Sequence, residues 1–254
     1  MTAIAGTRAN GWEPRPLKRG AKVAEALAQE IVREIVERKL PAGTLLSSEA
    51  QMIEDYGVGR GSLREALRIL EIHGLITMKP GRNGGPVVID VDTRDYGRMS
   101  SLFFQMTGVT FRQLVAARLL MEPMMARLAA ERRANDLEGK VPDAQTVPLG
   151  TGDDDAYFGA TQNFHKTVAS MSGNPVMNLF AMSLEDIFHE HVRGMLFPKN
   201  KRRHVLKVHQ EIAEAIVEGR SEEAERLMRE HMEDYADYVG KRYPQLMDEV
   251  VDWR

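Results

Sequence analysis

Between Ser48 and Asp90 the apolar positions follow two short helical periods and then two strand-like runs. Ser48-Glu-Ala-Gln51 has the form of a capping box, which predicts a helix starting there and reaching Tyr56. Gly57 suits the positive φ that ends a helix. A second helix is predicted over Arg60–His73, with Leu63, Ala66, Leu67 and Leu70 on one side and Gly74 as its stop. Leu75–Lys79 and Pro86–Asp90 read as paired strands around a flexible Pro80–Gly85 tip that carries Arg82. From Thr93 onward the pattern is helical, with no convincing alternating strand. Helices are predicted near Thr93–Met106, Phe111–Asn135, Asp155–Met171, Pro175–Met195, Lys201–Glu218 and Ser221–Tyr243. Pro123 should kink the second of these or mark a local break. The Gly-, Pro- and Asp-rich stretch Asp136–Asp154 reads as a long mobile loop, and Asn174 as the residue that shapes the turn before Pro175.

The packing side of the second helix leaves Arg60, Arg64 and Arg68 pointing outward together, at i, i+4 and i+8. Gly61 and Ser62 at its start are small enough to admit a phosphate or a base edge, and a helix N-terminus offers free N–H groups to phosphates. A guanidinium can bridge O6 and N7 of guanine, so such a face can read DNA. A solvated basic face has the same spacing; the hairpin with a basic tip is what makes the combination specific.

Charge distribution agrees. The net charge of −3 is not that of a bulk nucleic-acid binder. Residues 1–92, however, hold 13 Lys and Arg against 12 Asp and Glu, and the remainder 21 against 25. Cations concentrate in residues 1–22 and between Gly59 and Arg82, where phosphates would lie. With no cysteine, disulfides and thiolate metal sites are excluded. No apolar run approaches the roughly 18–20 residues that span a bilayer, and the N-terminus lacks the apolar core of a secretory signal, so a cytoplasmic location without membrane attachment is expected.

Three predicted helices each turn one histidine toward the apolar side. His165 follows Phe164 in the stripe Phe158, Thr161, Phe164, Val168; His209 lies with Val205, Val208, Ile212 and Ile216; His231 lies with Leu227, Met228 and Tyr235. A buried imidazole must be hydrogen-bonded or ligated. Three converging in a bundle would suit Zn²⁺, Ni²⁺ or a similar ion; taken singly, each reads better as a hydrogen-bonded core residue. His189 and His191 lie on different faces and read as surface or interface residues.

The segments LPAGTLLSSE, GVGRGSLREALRILEIHGLI and GRNGGPVVI resemble the winged-helix domain of the GntR family of bacterial transcription regulators over Lys22–Asp90. With the helical remainder, the chain is similar to the FadR-like subfamily with its FCD effector domain. QNFHKTVASMSGNPVM and HQEIAEAIVEGRSEEAERLMREHM resemble two segments of that domain. The resemblance implies a mainly α chain. Residues 1–20 would form a disordered basic tail. Residues 21–92 would form a winged helix-turn-helix of three helices and a β-hairpin, and 93–254 an all-α bundle that binds effector and dimerises. It implies operator contacts by Arg60, Gly61, Ser62, Arg64 and the wing around Gly84, with Arg68 and Arg82 as further candidates from their placement. It also implies three metal ligands, His165, His209 and His231. The family's fourth ligand, an Asp, is replaced by Thr161; Ser47, Ala50 and Gly59 also depart from the usual residues. Arg118 stands where the family often has Arg. Its guanidinium would suit a carboxylate effector or pair with Glu122 at i+4. The expectation is a homodimeric repressor released from palindromic operator DNA by a small organic acid. An acyl or other apolar effector without metal, a metal-dependent hydrolase with a DNA-binding appendage, and an architectural DNA-binding protein are the alternatives.

Overall fold

A computed structural model describes residues 23–81, 84–135, 154–192 and 199–253. The predicted tail, the tip residues Arg82 and Asn83, and the predicted loop over 136–153 lie outside the described residues. The chain divides into two compact units, Met1–Asp95 and Tyr96–Arg254.

The first unit contains α1 (Val23–Glu37), α2 (Glu49–Tyr56), α3 (Arg60–Ile72), β1 (Ile76–Lys79) and β2 (Gly85–Val88). Leu27, Ala28 and Ile31 of α1 pack with Met52 of α2, Leu63, Ala66, Leu67 and Leu70 of α3, and Ile76 and Val88 of the hairpin. Ser48 caps α2 as expected, its Oγ accepting from Gln51 N at 3.3 Å. The reciprocal half of the box is not made, because the Gln51 amide donates to Asp55 instead. Gly57 ends α2 at φ +62°, and Gly74 follows α3 at φ +66°. The strands pair antiparallel, Ile76 opposite Val88, and Leu45 bridges Val87 on the other edge. Gly84 is required at the end of the tip, since a Cβ there would lie 2.1 Å from the Lys79 carbonyl oxygen.

The second unit is helical: α4 (Thr93–Thr107, its first turn belonging to the first unit), α5 (Phe111–Asn135), α6 (Asp154–Met171), α7 (Pro175–His191), α8 (Lys199–Val217), α9 (Ser221–Arg242) and α10 (Pro244–Asp248). The long α5 is central, packing against α6, α7, α8 and α9. It runs through Pro123 without the predicted break. Asn174 caps α7, its Oδ1 accepting from Val176 N and Met177 N. The helix is described to His191; its predicted end at Met195 lies outside the described residues. One apolar cluster joins Met125, Ala129, Val168, Ile212, Ile216 and Met228; a second joins Phe111, Leu114, Ile187, Phe188, Val239 and Leu246. No strand is assigned among the described residues of this unit; the segment after α10 returns to the α4–α5 corner through an isolated bridge, Val250 to Thr110, and Val251 N donates to Val109 O. No described helix is long and apolar enough to cross a membrane.

Candidate metal centre and DNA-facing helix

Heptad-like apolar stripes on α6, α8 and α9 bring His165, His209 and His231 to one point inside the bundle. All three are buried. His209 Nε2 lies 3.1 Å from His231 Nε2, which lies 3.5 Å from His165 Nε2. Phe164 stacks on the His209 ring at 4.0 Å and fixes its plane. Burial, reinforced by the other imidazoles, holds the His209 pKa well below its usual value and that of His231 at about 3. Both rings are therefore neutral at pH 7, the state a metal ligand requires. Metal–nitrogen bonds of about 2.0–2.1 Å put neighbouring ligand nitrogens about 2.9–3.4 Å apart; the two short spacings are close to this, and ligand nitrogens of all three rings lie within 4.8 Å of one another, near enough to share one ion. Thr161, one turn before His165, supplies no carboxylate: its hydroxyl donates to the Tyr157 carbonyl at 3.0 Å.

A second layer surrounds the imidazoles. His165 Nδ1 lies 2.5 Å from Glu122 Oε2 on α5. The other oxygen of Glu122 accepts from Arg118 Nε at 2.6 Å. Arg118 Nη2 is 2.5 Å from Glu185 Oε2 of α7, off the direction a hydrogen bond needs, so that contact is mainly coulombic. The guanidinium also lies 3.9 Å over the Phe188 ring. Burial pushes the Glu122 pKa up, but Arg118 and His165 outweigh it and hold it at about 2. Burial raises that of Glu185 despite Arg118. Arg118 is thus buried between two carboxylates; the i+4 pairing weighed from sequence is present, and Glu185 is added to it. Sequence reasoning missed Glu122 as a partner of His165, and missed Glu185. The available signal for Glu185 was the Glu185-Asp186 pair interrupting the apolar run of α7, with Glu185 three residues before Phe188. A cleft of about 840 Å³ between α8 and α9, lined by Val205, Val208, Leu227 and Tyr238, reaches His231.

In the first unit the packing of Leu63, Ala66, Leu67 and Leu70 leaves Arg60, Gly61, Arg64 and Arg68 exposed and Ser62 half-buried. Arg60, Arg64 and Arg68 form no ion pair among the described residues. On α1, by contrast, Arg33 pairs with Glu30 and Glu37, and Arg38 with Glu34. Gly59 caps α3 without a side-chain hydrogen bond, leaving its first N–H groups open.

A winged helix-turn-helix followed by a helical bundle with a buried polar centre defines a class of DNA-binding regulators. The description "Bacterial regulatory proteins, gntR family" matches residues 23–83, and "FCD domain" matches 113–234. The chain belongs to the GntR family, in its FCD-containing branch. Among curated relatives, the HTH-type transcriptional repressor NanR of Escherichia coli O127:H6 is 30% identical over 177 residues, covering 68% of this chain and 66% of NanR. The chain thus aligns with about two thirds of the NanR length. The HTH-type transcriptional regulator LutR of Bacillus subtilis is 29% identical over 210 residues, 80% of this chain and 94% of LutR. Among solved structures, Streptococcus agalactiae GntR superposes with a TM-score of 0.66 at 24% identity, covering 85% of this chain and 99% of that one, which supports the fold. These relatives are regulators, not enzymes.

Proposed function

We propose that the chain is a homodimeric transcriptional repressor that leaves a palindromic operator when a small organic acid binds its helical domain beside a divalent ion. The observation that carries this reading is the set of three exposed arginines on α3 that form no ion pair among the described residues, where most other described helical arginines do. Arg60, Arg64 and Arg68, with Gly61 and Ser62, meet the major groove; Gly84 and Arg82 place the wing on the backbone. His165, His209 and His231 would hold Zn²⁺ or Ni²⁺, which would supply Lewis acidity toward a carboxylate entering by the cleft at His231. Arg118, tied to Glu122 and Glu185, orders the floor of that site and reaches the acid only if Glu185 yields its place. An apolar effector without metal is the second reading, favoured by the absence of a carboxylate at Thr161.

Support for the dimer comes from α4, where Met99, Phe103 and Met106 expose 52, 66 and 79% of their surface at i, i+4 and i+7. Such a stripe on a helix is an interface to be covered. The ligand acts only by favouring one dimer geometry over another.

The test selects operator sequences from a random DNA pool with the full-length, tag-free protein, then compares binding by wild type and Arg64→Ala. Equal affinity of the two would remove α3 from the interface. Elemental analysis of wild type and His209→Ala decides between the readings. One ion per chain, lost in the variant, supports the metal-centred site. Absence of metal after incubation with Zn²⁺ or Ni²⁺ moves the search to apolar effectors.

A further inference from the structure

We propose that Glu122 is the positioning residue of the metal centre, fixing His165 so that Nε2 alone faces the ion. This rests on the metal reading given above and concerns a residue outside the three ligands. An imidazole has two nitrogens, and the partner of one decides which role the other plays. Glu122 Oε2 lies 2.5 Å from His165 Nδ1. A carboxylate only accepts, so Nδ1 carries the hydrogen and Nε2 presents its lone pair toward His209 and His231. The carboxylate cannot turn away, because its second oxygen is held by Arg118 Nε at 2.6 Å, one helical turn earlier on α5.

The negative charge behind the ring has a second effect. It makes His165 a stronger donor to a cation. The adjoining turn of α6 brings no charge of its own, since Thr161 donates to the Tyr157 carbonyl. Among the described residues His165 is the one imidazole of the cluster with a carboxylate on its far nitrogen. The centre is therefore asymmetric: one ligand is braced and charged through Glu122, while His209 is held by stacking on Phe164.

Glu185 separates this role from simple burial of charge. It touches the same guanidinium as Glu122 but not His165. Both carboxylates are buried. The experiment compares full-length wild type, Glu122→Gln and Glu185→Gln by two measurements. Zn²⁺ affinity is read by competition with a chromophoric chelator. Loss of an outer partner of a metal-bound histidine costs about 10–100-fold in affinity, so Glu122→Gln should weaken Zn²⁺ binding by that factor while Glu185→Gln stays within tenfold of wild type. The tautomer of His165 is read in metal-free, ¹⁵N-histidine-labelled protein at pH 8. Wild type and Glu185→Gln should show the Nδ1–H form, and Glu122→Gln should shift toward Nε2–H. Unchanged Zn²⁺ affinity in Glu122→Gln, an unchanged tautomer, or an equal loss in Glu185→Gln would each overturn the assignment. If wild type takes no Zn²⁺, the metal reading fails by itself, and the tautomer still decides whether Glu122 sets the ring.

Discussion

Acidification from pH 7 to pH 5 should destabilise the metal-free helical domain by about 4 kcal/mol through His209 and His231. Both imidazoles are buried, and burial holds their folded pKa values far below the ordinary 6.5. The unfolded chain therefore takes up protons first as pH falls. Stability is complete above 6.5 and drains away below it, toward the folded value of about 3 for His231. Each ring contributes about 2 kcal/mol over this interval, and the figure depends almost wholly on the unfolded pKa once the folded one lies well under 5. Glu122, held at about 2, adds a loss of the same sign only below its ordinary value of 4.5. Glu185, whose carboxyl burial raises, works in the opposite direction and recovers part of the loss. The assay is urea denaturation at pH 7, 6 and 5, with chelator, at fixed protein concentration and ionic strength. His231→Gln serves as the internal comparison, because an amide cannot titrate: its absolute stability will differ, but its pH dependence should fall to about half. A midpoint that stays level from pH 7 to 5, or a slope unaffected in His231→Gln, would refute the claim that these rings are buried and neutral.

Two further outcomes follow from the buried charges and the exposed stripe. Arg118→Ala leaves Glu122 and Glu185 without their shared cation and should cost about 3–5 kcal/mol at pH 7 by urea unfolding; a loss below about 1 kcal/mol would mean that the guanidinium does not compensate them. Phe103→Glu with Met106→Glu places two charges on the α4 stripe and should convert the proposed dimer to monomer in sedimentation equilibrium, with unchanged helical circular dichroism. A dimer that survives would place the interface elsewhere.

The first unit was readable from sequence because local signals there agree with one another. Ser48, Gly57, Gly74 and the stripe Leu63, Ala66, Leu67, Leu70 each specify a cap, a stop or a buried face from their own neighbourhood. Departures arose where tertiary packing decides. Pro123 predicts a kink or a local break by its missing N–H; α5 continues through it, packed against α6, α7, α8 and α9, so of the two outcomes only the break is set aside. Likewise no periodicity announces that the chain after α10 will return to pair Val250 with Thr110, a contact across the length of the second unit.

The candidate metal centre divides along the same line. Its three histidines were legible since each sits in an apolar stripe, and an apolar stripe points inward wherever the helix is placed. Their second layer was not, since Arg118 and Glu122 at i and i+4 look like any exposed helix pair, and only the packing of α5 against α6 and α7 turns that pair into a buried support for His165. Burial changes what the same four-residue spacing means. On the surface of α9, Arg226 and Glu230 at this spacing contribute a few tenths of a kcal/mol. Inside the bundle the pair cannot be exchanged for water, so each member depends on the other, and the imidazole beyond them inherits a fixed orientation. A sequence motif identifies which atoms can bind an ion; the Arg118-paired carboxylate of Glu122 behind His165 determines whether its Nε2 waits in the right direction.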